Sequence, residues 1–178
     1  MMTYTTERTR RQIIQSFMHV LQTKRFSSIT IQDICDDALI HRTTFYRYYE
    51  DKYSLLKDFI YHLSEELIKL NKSSNTDPFK LLVDYIEGNF VLFENTLLGS
   101  DGHILFKSLV KIASNILREH SKTESDLISQ KINQSKYPDV MCELYATSIM
   151  TILQNWISKE YHYQKEELFE IFNQVVFG

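Results

Sequence analysis

The 178-residue chain has little of what breaks helices or staples loops: four glycines, two prolines and two cysteines. So few turn-formers exclude a sandwich or barrel, whose strand junctions each need them, and leave long helices. No apolar run of about eighteen residues and no charged-then-apolar leader occurs, so neither a membrane span nor a secretion signal is expected; the expected location is cytoplasmic. Cys35 and Cys142 lack C-x-x-C spacing and sit on apolar faces of separate helical patterns, as buried free thiols do. Phosphate-loop, G-x-S-x-G and H-E-x-x-H patterns are missing too. His62, Glu65 and Glu66 share a helix face, but carboxylate-bridged metal bundles repeat E-x-x-H on two helices and this chain has none. The expectation is no enzyme, no cofactor and no metal.

What the chain does have is an uneven charge distribution. Its net charge of −3 speaks against nucleic acid only until it is divided: residues 1–60 hold nine Lys/Arg and seven Asp/Glu, and the remainder holds eleven and sixteen. Arg8, Arg10, Arg11, Arg42 and Arg47 concentrate positive charge near the N-terminus. Local sign governs encounter with a polyanion more than the total does.

Within that region, ITIQDICDDALIHRTTFYRYYEDK (29–52) holds two short helical patterns around a hinge. Thr30 suits an N-cap, with Asp33 three residues on, and a 100° step puts Ile31, Ile34, Cys35 and Ala38 on one face. In the second pattern, Arg42–Tyr49, the same step gathers Phe45, Tyr48 and Tyr49 on one arc and Arg42, Thr43, Tyr46 and Arg47 on the other. The first arc anchors the helix. The second offers guanidiniums, a hydroxyl and a phenol to a groove, since arginine reads guanine bidentately or clasps phosphate. Lys52 then opens a further helix.

The ordered set of cap, D-I-x-x-x-A, hinge, R-x-T-F-Y-R-Y-Y and Lys resembles the DNA-binding region of TetR/AcrR-family regulators. Thr30, Asp33, Ile34, Ala38, Arg42, Thr44, Phe45, Tyr46, Arg47, Tyr48 and Lys52 match its usual pattern residue for residue. The resemblance implies an all-α fold of about nine helices. A three-helix DNA-binding unit with a helix-turn-helix would occupy residues 1–52, a connecting helix 53–72, and a ligand-binding and dimerisation domain 73–178. It also implies DNA contact by Thr30, Gln32, His41, Arg42, Thr43, Thr44, Tyr46, Arg47 and Lys52, with Thr30, Tyr46 and Lys52 on phosphates. Leu39 departs from the family's left-handed hinge glycine, at a cost of roughly 1–2 kcal/mol. His41 replaces the usual serine cap.

Along the remaining chain, Ile13, Ile14, Phe17, Val20 and Leu21 stripe a first helix after a frayed arm at residues 1–6, and Leu55, Leu56, Phe59, Ile60, Leu63 and Leu67 stripe a long one from Tyr53 to Leu70. The polar patch NKSSNT (71–76) followed by Asp77-Pro78 reads as a boundary with an N-cap and a first-turn proline. A helix from Phe79 to Leu97, a turn at 99–102, a helix from His103 to Arg118 and a Ser121/Glu124 capping box opening a helix to about Lys136 follow. The helix from Pro138 is apolar on more than one side and must be covered on both. A last helix spans about Lys165–Val176. The family resemblance pairs these last two across a homodimer, here through Met141, Tyr145, Ile149, Ile152, Leu153, Trp156, Ile171, Phe172 and Val175. Tyr85, Asn89, His103, Lys107 and Tyr145 are polar or amphipathic residues on apolar helices, the candidates to line a cavity for a small apolar or aromatic effector. The function implied is a transcriptional repressor binding a palindromic double-stranded DNA operator as a dimer and released by that effector. The alternative is a regulator of the same build that activates, or works through a protein partner without an effector.

Overall fold

The computed structural model describes residues 4–74, 78–99, 102–160 and 162–177. Among these the protein is all-α: α1 (Tyr4–Leu21), a 3-10 turn (Phe26–Ser28), α2 (Ile31–Asp37), α3 (Arg42–Tyr46), α4 (Lys52–Ser74), α5 (Pro78–Gly88), α6 (Phe90–Leu97), α7 (Gly102–Thr123), α8 (Leu127–Gln134), α9 (Pro138–Ser158) and α10 (Lys165–Phe177). No described helix is long and apolar enough to cross a membrane. The expected arm before residue 4, the Asp77 cap, residues 75–76 of the polar patch and Ser100-Asp101 of the turn lie outside the described residues.

α1 to α3 close around a small apolar centre. Ile13, Phe17, Leu21, Phe26, Ile34 and Phe45 are completely buried, each large side chain removing about 1.5–3 kcal/mol worth of apolar surface from water. Phe17 sets its ring edge-on against both Phe26 and Phe59, centroids 6.1 Å apart in each case. Phe59 belongs to α4, so the apolar core runs without interruption from α1 into the later helices. A second connection bypasses α4: Asn95 on α6 donates to the Leu21 carbonyl at the end of α1 (2.8 Å).

Several boundaries differ from expectation. The apolar run Phe79–Leu97 is two helices, because Asn89 leaves the helical region and its side chain donates to the Tyr85 carbonyl at 3.0 Å. α4 extends to Ser74, past the expected end at Leu70, and Tyr4 to Thr6 belong to α1 rather than to a frayed arm. α7 runs on to Thr123, so Ser121 is interior to it and bonds back to the Arg118 carbonyl. The cap of α8 is Asp126, which accepts from the Ser129 amide at 3.1 Å. α9 begins at its proline and ends where Lys159 turns left-handed. It buries Cys142, Tyr145, Ala146, Ile152, Leu153 and Ile157, while Val140 and Leu144 on its other side stay more than half exposed.

Candidate nucleic-acid interface

The helix-turn-helix geometry begins with a reciprocal cap. Thr30 accepts from the Asp33 amide, and the Asp33 carboxylate accepts from the Thr30 amide at 2.8 Å. With Lys24 2.6 Å away on its other oxygen, the Asp33 carboxyl falls to about 2, the lysine bond first and the Thr30 bonds after it. α2 ends at Ala38. Leu39 then takes φ 52° with its side chain 88% exposed, and the turn is held by amide bonds from Leu39 to the Asp36 carbonyl and from Ile40 to the Cys35 carbonyl (3.0 Å). His41 caps α3 through its backbone only.

α3 is five residues long, shorter than the expected Arg42–Tyr49, though turn bonds from Tyr48 and Tyr49 to the Phe45 carbonyl continue its coil. So short a helix has no stability of its own. Its anchors are Phe45, fully buried, and Tyr49, whose rings meet at 5.7 Å. The opposite arc is free: His41, Arg42, Thr43, Tyr46 and Arg47 are exposed and Thr44 is half-buried. Arg42 approaches the Tyr46 hydroxyl at 3.5 Å, and neither Arg42 nor Arg47 has an ion-pair partner among the described residues. Thr30 and Gln32 are exposed but engaged, Thr30 in its cap and Gln32 in a bond to Asp36 at 2.6 Å.

Lys52 is turned into the fold. Its ammonium donates to the carbonyls of Phe26, Ser27 and Ile29 at 2.9, 3.1 and 3.0 Å and lies 4.8 Å from the Phe26 ring centroid. It ties the 3-10 turn to the start of α4. These bonds compete with the phosphate contact expected of Lys52.

One polar cluster at this interface has no counterpart in the sequence reading. Arg10 on α1 grips Asp58 on α4 through two bonds, 2.5 and 2.7 Å, and the Tyr49 hydroxyl donates to the same carboxylate at 2.6 Å. Burial alone would push the Asp58 carboxyl up, but the bonds from Arg10 and Tyr49 outweigh it and the net shift is downward. Tyr49 is raised, by burial first and then by Asp58; the Arg10 guanidinium is also raised, chiefly by that bond. The residue that closes the α3 coil is thereby fastened to two other helices. Arg10 and Asp58 stand 48 positions apart, and no local pattern pairs them.

α4 and the later helices line a partly open cavity of about 240 Å³, walled by Phe59, Leu63, Ile86, Phe93, Leu153 and Phe172 among others. None of the five expected ligand residues lines it. On α7 the wall is Leu109, Ala113, Ile116, Leu117 and His120, one stripe, and His103 and Lys107 lie roughly 95–135° round the helix from its centre, in solvent. Asn89 is spent on the break before α6, Tyr85 stacks edge-on to Phe93 from outside the cavity, and Tyr145 is buried elsewhere. The wall's few polar atoms already have partners: Ser64 bonds to Tyr61, Thr96 to Leu92 and His120 to Asp126. The dimer candidates also divide. Tyr145, Ile152, Leu153 and Phe172 are buried within their own chain; Met141, Ile149, Trp156 and Ile171 are half-buried and Val175 is exposed. Val140 and Leu144, part of the two-sided apolar pattern but not among the interface candidates, are the exposed apolar positions of α9. His62 pairs with Glu66 at 3.4 Å, and no group of three or more His, Cys, Asp or Glu side chains able to hold a metal occurs among the described residues.

No protein-family model matches the chain, and no curated sequence does. Among solved structures it is similar to the dihydroxyacetone kinase operon activator DhaS, with a TM-score of 0.55 and 21% identity over 94% of this chain and 92% of that one. At that identity the likeness establishes a common helical fold.

Proposed function

We propose that the chain is a TetR/AcrR-type transcription regulator that binds a palindromic operator as a homodimer, works in the cytoplasm and is controlled by a small apolar effector. Residues 1–52 form its DNA-binding unit, α4 connects, and residues 73–178 hold effector and partner. The observation that carries this reading is the arc of Arg42, Thr43, Tyr46 and Arg47, exposed and without ion pairs on a helix that is clamped from behind through Phe45 and Tyr49. A surface so fixed, basic and unsatisfied fits the edges and phosphates of a major groove. The apolar cavity fits an uncharged effector, because its wall has no charged group without a partner. Exposed Val140, Leu144 and Val175 and half-buried Met141 and Ile171 supply the apolar surface on α9 and α10 that a second copy covers.

The primary reading is a repressor. One observation favours the alternative: the structural neighbour is itself named an operon activator. Selecting duplexes from a random pool and measuring affinity by anisotropy tests the core of the proposal. Binding should weaken steeply between about 50 and 200 mM salt. Arg42→Ala should cost about 1–3 kcal/mol on the selected sequence and relax the preference at one position. A salt-independent affinity refutes DNA recognition, and a reporter assay then separates repression from activation.

A further inference from the structure

Beside the base-reading arc lies a second groove of about 480 Å³, bounded by Arg47, Tyr48, Lys57 and Tyr61 and floored by Arg10 and Asp58. Its charge is decided by which groups are already spent. Asp58 is compensated by Arg10 and Tyr49, whereas Arg47 and Lys57 are exposed and have no partner among the described residues. The Tyr48 and Tyr61 hydroxyls likewise make no bond there. Two free cations and two free phenols, all able to donate, therefore face one groove, a set suited to an oxyanion.

We propose that this groove holds a backbone phosphate of the DNA duplex, clasped by Arg47 and Lys57. The inference rests on the DNA-binding reading. Three observations choose duplex phosphate over a free anion. The groove starts at Arg47, the residue that closes α3 and a member of the exposed arc itself. α3 offers only five residues to the bases, which leaves much of the affinity to phosphate contacts. Lys52, where a phosphate contact was expected, is consumed by three carbonyls, and Lys57 lies five residues further along the same helix with its ammonium free.

Salt-dependent binding of the intact protein to its selected duplex and to an unrelated one tests this. Lys57→Gln should weaken both by a similar factor. Its affinity loss between about 50 and 200 mM salt should be about 3.5-fold smaller than that of the unaltered protein, the difference one released counterion makes. Lys57→Arg should restore the original dependence, and Lys111→Gln, an exposed lysine on α7, should leave it unchanged. A salt dependence that is the same for Lys57→Gln and the unaltered protein overturns the groove assignment and leaves the operator reading intact. If inorganic phosphate raises the melting temperature of the unaltered protein but not of Lys57→Gln, while both keep the same salt dependence, the groove is a free-anion site and the assignment to DNA is wrong. Absence of any salt dependence in the unaltered protein removes the regulator reading itself.

Discussion

The helices before Lys52 and those after Pro78 are held together in different ways. In the first group, polar side chains cross between elements at nearly every junction: Gln12 to the Ala38 carbonyl, Lys24 to Asp33, His19 beside Asp37, Arg10 to Asp58 and Lys52 to three carbonyls. In the second, polar ties also cross between elements, Arg118 to Asp139, Lys165 to Asp84 and Glu87 and Asn133 to the Ser121 carbonyl, but the centre is a partly open apolar cavity of about 240 Å³. The first is over-determined, as a five-residue helix requires if it is to present side chains in fixed positions. The second has slack at its centre, and slack is what lets a core accept extra volume. Phe59 belongs to both, stacked edge-on with Phe17 on one side and walling the cavity on the other.

The contrast breaks most visibly with large-to-small substitutions. Phe45→Ala, in the tight group, should cost about 3–5 kcal/mol in urea unfolding, the transfer term plus an unrelaxed hole. Leu82→Ala, half-buried on the cavity wall, should cost about 1–2 kcal/mol, because part of its surface is already without neighbours. Equal costs would mean that the two halves are packed alike.

Asp58→Asn should cost about 2–3 kcal/mol near neutral pH, since it removes the two-bond ion pair of Arg10 and leaves that charge only the longer contact to Glu7, at a site whose side chains are only 23% exposed. The carboxyl's folded value lies below its unfolded one, so its contribution is present above the unfolded value of about 4 and disappears as pH falls through the folded value. The gap between unaltered and variant protein should therefore stay constant from about pH 5 to 8 and close on further acidification. A gap that grew toward acid would reverse the assigned sign.

A matched pair of insertions probes the slack directly. Ala38→Leu adds volume at a fully packed site and should destabilise by about 1–3 kcal/mol. Ala113→Leu points the same bulk into the cavity and should be neutral or stabilising by about 1 kcal/mol, while competing with any effector for space. Like-signed effects would show that the void is not usable.

The same contrast explains what could be read in advance. In the first group, local rules determine local structure: the Thr30 cap and the burial of Ile34 and Phe45 follow from spacing and side-chain chemistry, whereas the left-handed hinge at Leu39 was legible only through the family resemblance, since leucine itself disfavours it. The helices of the second group were legible by periodicity, but not the break at Asn89, because the apolar run continues across it. The cavity wall was not legible either. Leu63, Ile86 and Leu153 look like any core residue, and which core residues fail to meet depends on how helices cross. Searching for polar residues on apolar helices led instead to His103 and Lys107, whose polarity reflects exposure to water. The Arg10–Asp58–Tyr49 cluster and the commitment of Lys52 to carbonyls were hidden for a related reason, since both join elements distant in the chain.

Leu39 offers the smallest effect and the finest test of over-determination. At φ 52° a leucine pays roughly 1–2 kcal/mol for crowding between its Cβ and the carbonyl, and with 88% of its side chain in water it recovers almost nothing by packing. Glycine removes that cost but adds backbone freedom to the unfolded chain, worth about 0.5–1 kcal/mol. Leu39→Gly should therefore stabilise by a net of about 0.5–1 kcal/mol. The amide bonds to Asp36 and Cys35 and the Gln12 bond to Ala38 do not involve the leucine side chain, so the turn should keep its angle. If those ties fix α3, the variant melts higher and binds its selected duplex with unchanged affinity. Should stability rise while DNA affinity falls, the leucine itself meets the duplex; should stability fall, the hinge is not strained and the left-handed cost has been overstated.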